Sequence, residues 1–148
     1  LHGNTIVINW DHQGESFITA LDKRTGKELW KTPRDERTTW TTQLIVEVNG
    51  KAQAIVAAAI TRAYDLETGS EIWHCEGLVG GPIPTPVHQN GLVYVTSTAR
   101  GQGVLMAIHL AKAKGNNTLD DSFNASPVIV GNELYLRGQR HLYCIASD

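Results

Sequence analysis

Apolar and polar positions alternate along most of this chain in short runs, and glycine-containing turns separate the runs. Val46-Glu47-Val48 and Glu133-Leu134-Tyr135-Leu136-Arg137 are representative. In an extended strand successive side chains point to opposite faces, so such runs predict short β-strands. Asn49-Gly50, Asn90-Gly91 and Gly131-Asn132 each join two of them. These dipeptides tolerate the left-handed backbone of a tight hairpin turn and predict β-hairpins at all three places.

The hairpins are parts of a larger repeat. Ala20-Leu21-Asp22-Lys23-Arg24-Thr25-Gly26-Lys27-Glu28-Leu29-Trp30 returns 43 residues later as Ala63-Tyr64-Asp65-Leu66-Glu67-Thr68-Gly69-Ser70-Glu71-Ile72-Trp73. Ala107-Ile108-His109 is a degenerate third copy, and Leu142-Tyr143-Cys144-Ile145-Ala146 is a fourth with Cys144 at the alanine position. A second pattern recurs between these. Pro84-Thr85-Pro86-Val87 through Val95 matches Ala125-Ser126-Pro127-Val128 through Leu136, with an earlier copy at 42–50. A period of about 40 residues that holds four short strands is that of one propeller blade.

Each repeated residue type has a physical task. Asp22 and Asp65 close a strand and can accept hydrogen bonds from the N–H groups of the turn that follows. Gly26 and Gly69 stand where that turn needs a positive φ. Trp30 and Trp73 fall on the outermost strand, where a ring can be buried against the neighbouring blade. Ala20, Ala63 and Ala107 mark a point of close approach by something large.

This set resembles the tryptophan-docking motif of the pyrroloquinoline-quinone-like, or quinoprotein-type, β-propeller repeat family, in which Ala, Asp, Thr-Gly and Trp recur once per blade. Ala20, Asp22, Thr25, Gly26 and Trp30 carry the likeness, and Ala63, Asp65, Thr68, Gly69 and Trp73 carry it again. The resemblance implies an all-β fold of four-stranded antiparallel blades. Blade limits are expected near 1–41, 42–84, 85–124 and 125–148. The first blade is expected to supply Thr5 to Trp10, Ser16 to Leu21 and Glu28 to Lys31, without an innermost strand. The second is complete, with strands over 43–48, 53–58, 61–66 and 71–75. The third has strands over 85–88, 92–97 and 104–110, but Ala111 to Asn117 carries neither the Thr-Gly turn nor a Trp and reads as an eroded outer strand. The fourth runs over 127–130, 133–137 and 141–146. The chain starts inside a strand, and its first blade lacks an inner strand while its last lacks an outer one, so the two ends offer no clean exchange to close a ring. The expectation is the C-terminal part of a ring of about seven or eight blades, with a free-standing four-bladed ring as the alternative.

Composition narrows the function. The 13 Lys and Arg against 15 Asp and Glu leave a net charge of −2, with no basic cluster for a nucleic-acid backbone. No apolar stretch approaches the roughly 20 residues of a membrane span, and no signal-peptide pattern opens the chain. Cys75 and Cys144 read as two small buried thiols rather than a disulfide. His2, His12, His74, His88, His109 and His141 lack zinc-ligand spacing. Asp120-Asp121 lies outside any EF-hand pattern, and neither Ser97 nor Ser126 sits in a nucleophile elbow.

Members of the resembled family include quinone-dependent dehydrogenases, an outer-membrane-assembly scaffold and many bacterial secreted proteins. The resemblance therefore implies a periplasmic or secreted address. It offers two functions: a scaffold for a protein or carbohydrate partner without a cofactor, or part of an alcohol or sugar dehydrogenase using pyrroloquinoline quinone and calcium. The adjacent cysteine pair that often closes over the quinone is absent from the sequence, and the scaffold is the leading expectation. Its candidate binding loop runs over 32–41, where Trp40 stands among Arg34, Arg37 and Asp35. An exposed aromatic beside arginines is a common contact hot spot; the competing reading packs Trp40 under the loop. Trp10-Asp11-His12 is a second loop cluster, and Gly80-Gly81-Pro82-Ile83-Pro84 reads as a stiff crossing.

Overall fold

The computed structural model describes residues 1–99 and 103–115, together with the backbone of 102, 116, 128–130, 133–137 and 142–146. Among them there is no helix, and hence none long and apolar enough to cross a membrane. The strands fall into four sheets. The first orders Thr5–Trp10 (β1), Ser16–Asp22 (β2) and Glu28–Arg34 (β3) as β1-β2-β3. The second is built on Leu44–Val48 (β4), Lys51–Val56 (β5), Ile60–Asp65 (β6) and Glu71–Glu76 (β7), consecutive antiparallel neighbours. The third contains Val87–Gln89 (β8), Leu92–Ala99 (β9) and Gln102–His109 (β10).

One strand departs from the expected arrangement. Gly115–Asn116 (β11) adds to the second sheet, pairing in parallel with β7 at Gly115↔Trp73 and Asn116↔His74. The segment that reads as an eroded outer strand of blade three thus covers the outer edge of blade two. The fourth sheet orders Val128–Val130 (β12), Glu133–Arg137 (β13) and Leu142–Ala146 (β14) as β12-β13-β14, with Cys144 opposite Tyr135.

The repeat residues make the turns expected of them. Asp22 Oδ1 accepts from the N–H groups of Arg24 (3.0 Å) and Thr25 (2.8 Å) and from the Thr25 hydroxyl (2.8 Å). The hydrogen bonds from Thr25 hold the Asp22 carboxyl below its ordinary pKa. Asp65 Oδ1 repeats the pattern with Glu67 N (2.9 Å) and Thr68 N (3.0 Å). Gly26 and Gly69 close the two turns at φ 70 and 74. The close approach at the alanines is the tryptophan itself: Ala20 lies opposite Trp30 and Ala63 opposite Trp73. A β-bulge follows each pair, which leaves Leu29 and Ile72 as extra residues. Ala107, in a blade without a docking Trp, lies opposite Tyr94 instead.

Blade two is buried on both faces. On β5, Ala54 and Val56 pack with Val7 and Ile18 of blade one and with Tyr64 and Leu66. Ile55, between them in sequence, points the other way, into a cluster with Ala63, Trp73, Val93, Val95 and Ile108. This two-sided burial is why Ala54 to Ala58 reads as continuously apolar rather than alternating.

Candidate binding groove

Antiparallel order sorts the connections between two ends. The Asn-Gly hairpins and the Asp-x-x-Thr-Gly turns lie at one end. The connections after β1, β3, β5 and β7 lie at the other. There they form an open groove of about 1050 Å³, lined chiefly by residues 12–14, 35–40, 59–60 and 80–81.

Trp40 and Arg37 are exposed at this groove, Trp40 at 62%. The Trp40 backbone N–H donates to Pro82 O (3.1 Å). A Cβ built on Gly81 would stand 3.0 Å from the indole and 2.9 Å from Thr38 O, so the bare glycine is what lets the ring lie there. The Gly80-Gly81 segment therefore supports the candidate aromatic contact as well as shaping the crossing.

Arg34 is a correction. Strand β3 continues past Lys31 through Pro33 to Arg34, on a sheet edge where proline's missing N–H is tolerated. The Arg34 side chain is fully buried, as is that of Asp11, and the two form a bidentate pair at 2.8 and 3.1 Å. Arg34 Nη1 donates to the Tyr64 hydroxyl at 2.6 Å. Burial works against the Arg34 charge, but the Asp11 hydrogen bond and the charges of Tyr64, Asp11 and Glu36 outweigh it and hold its pKa above the ordinary value. Burial raises the Tyr64 phenol against the opposing pull of Arg34 and Arg62. Of the expected cluster, Arg37 and Trp40 reach the surface and Arg34 is a buried support.

Residues that the sequence did not single out join the banks. Ser16 Oγ accepts from His12 N (3.0 Å) and donates to Glu36 O (2.8 Å). Glu36 turns its carboxylate towards blade two, where it meets Arg62 and Ile60 N. Arg62 also pairs with Glu71 at 3.2 Å, and Glu71 with His74 at 2.7 Å. Tyr64 carried a legible signal: it is the aromatic with a polar tip where the sister copy has Leu21. Glu36 and Ser16 carried none, because what matters of each is partly a backbone carbonyl or a single hydroxyl.

Cys75 is buried in the core beside Trp73, and burial pushes its thiol up to about 11. Cys144's side chain lies outside the described residues. No group of three or more metal-ligating side chains occurs among the described residues.

Sheets of this kind, joined by tryptophans that cross from one to the next, define a β-propeller. A family model described as outer membrane protein assembly factor BamB matches residues 14–148, and the chain belongs to that family. The outer membrane protein assembly factor BamB of Francisella salina is 32% identical over 95 residues, covering 64% of this chain and 17% of that protein. The crystal structure of BamB from Moraxella catarrhalis superposes with a TM-score of 0.52 at 18% identity, over 98% of this chain and 44% of that one. The computationally designed Ika8 protein gives 0.55 at 9% identity, over 99% and 44%. The chain thus spans less than half the length of the two BamB proteins it matches.

Proposed function

We propose that this chain is part of a non-catalytic propeller scaffold, periplasmic and without a cofactor, whose loop end docks a protein partner during outer-membrane protein assembly. Family membership supports the assembly role. The observation that carries the docking site is the groove at the loop end, with an exposed indole laid over glycine and an exposed Arg37 beside it. Loops on a rigid sheet scaffold are where propellers place binding residues, and aromatic and arginine side chains dominate interface energetics.

The test uses the full-length parent protein in its bacterial host. Trp40→Ala combined with Arg37→Glu is expected to lower the amount of folded outer-membrane protein at unchanged scaffold level. Unchanged folded outer-membrane protein overturns the docking site. Dye reduction by the full-length protein after reconstitution with pyrroloquinoline quinone and calcium overturns the scaffold reading in favour of a dehydrogenase.

A further inference from the structure

The buried Asp11–Arg34 pair is the feature that blade packing alone does not explain. Removing two charges from water costs more than their attraction commonly returns, and apolar residues of similar volume often serve stability as well or better. What such a pair supplies is a directional geometry. Asp11 uses both oxygens: Oδ1 and Oδ2 take the Arg34 fork, and Oδ2 also accepts from the Thr39 hydroxyl (2.8 Å) and from Asn9 Nδ2 (3.1 Å). Asn9 Nδ2 reaches Thr39 Oγ1 as well, at 3.4 Å. Thr39 is the neighbour of Trp40, and on the far side Thr41 Oγ1 donates to Ala57 O at 2.8 Å. The connection that bears Trp40 is therefore tied to Asp11 on one side of the indole and to blade two on the other.

Resting on the groove reading above, we infer that Asp11 and Arg34 are positioning residues for the groove: they hold the bank at 37–40 against the bank at 12–14 and preform the pose of Trp40. The Ser16 bridge from His12 to Glu36 makes the same join one turn away. A site preformed in this way binds without the cost of ordering a loop.

Hydrogen exchange and fluorine NMR of 5-fluorotryptophan-labelled protein test this without a partner, so the result does not depend on whether the docking proposal holds. In the Asp11→Leu/Arg34→Met variant the melting temperature is expected within about 3 °C of the parent. Amides 38–40 are expected to exchange about tenfold faster, and the Trp40 resonance to shift or broaden while that of Trp73 does not. Thr39→Val removes the loop's hydrogen bond to Asp11, and the longer one from Asn9, and keeps the pair; the same amides are expected to loosen by about tenfold, the scale of a charge-assisted bond. Unchanged exchange at 38–40 in Thr39→Val overturns the inference. So does a double variant in which Trp73 and the core amides loosen together with Trp40, because the pair would then be an element of general stability.

Discussion

Trp30 and Trp73 stand at the same place in the repeat, yet the two blade junctions they make are built differently. Trp30 is half-buried, and its Nε1 donates across the junction to Leu66 O at 2.9 Å. Its ring lies on the Thr-Gly turn of blade two, 2.5 Å from where a Cβ on Gly69 would stand, and Thr32 Oγ1 donates to Gly69 O at 2.7 Å. Trp73 is fully buried. Its Nε1 turns back to Gln53 Oε1 of its own sheet (3.1 Å), and its ring joins Leu110 and Ala113 of blade three in the core. Blade three has no Thr-Gly turn to offer; its chain curls at 110–114 and pairs alongside Trp73 as β11. The donor of the docking contact recurs, whereas the receiving surface decides whether the contact is a hydrogen-bonded glycine seat or an apolar wall. Gly26 of blade one has a φ close to that of Gly69, and nothing among the described residues lies within 4 Å of a Cβ there.

The largest effect should come from the apolar junction. Trp73→Ala is expected to cost about 3–5 kcal/mol in denaturant unfolding, and a loss below about 1 kcal/mol would show that the ring is not a core contact. Trp30→Ala should cost about 2 kcal/mol, from a partly buried ring and one hydrogen bond. Equal losses at the two sites would erase the distinction between the junctions.

The glycines sharpen it further. Gly26→Ala pays only for a left-handed backbone, roughly 1–2 kcal/mol. Gly69→Ala bears that cost and a clash with the Trp30 ring, together with a tight approach of 2.9 Å to Thr32 Oγ1. The excess of Gly69→Ala over Gly26→Ala should shrink in a Trp30→Ala background to what the Thr32 contact leaves, as a double-mutant cycle would report. An excess unchanged by the loss of the ring would place the clash elsewhere.

The smallest effect is a pH dependence at the apolar junction. Cys75 has its pKa raised from 9.0 to about 11, chiefly by burial, so the folded state favours the protonated thiol. Its contribution is fully present below pH 9 and is lost as pH rises towards 11. Unfolding curves between these values should fall less steeply with pH in Cys75→Ala than in the parent.

Much of the fold was legible in the sequence. Strand alternation, the Asn-Gly hairpins, the Asp caps and the positive-φ glycines express interactions within a few residues of one another. The candidate groove was legible only in part. Trp40 and Arg37 could be placed on a connecting loop because that loop lies between two repeat copies. Arg34 read as their exposed companion because its charge is visible in the sequence and its partner is not: Asp11 lies 23 residues away, in another connection. Gly81 read as a crossing residue because its contact with Trp40 spans two blades.

The sequence by itself determined the repeat, the four-stranded unit and the tryptophan that each of the first two units offers to the next, since these follow from local backbone preference and a fixed period. Only the tertiary structure decided what receives each tryptophan, where β11 pairs, and that a charged residue near the loop is a buried support. Those outcomes depend on which distant surfaces meet, and burial, pairing and close contact have no meaning until they do.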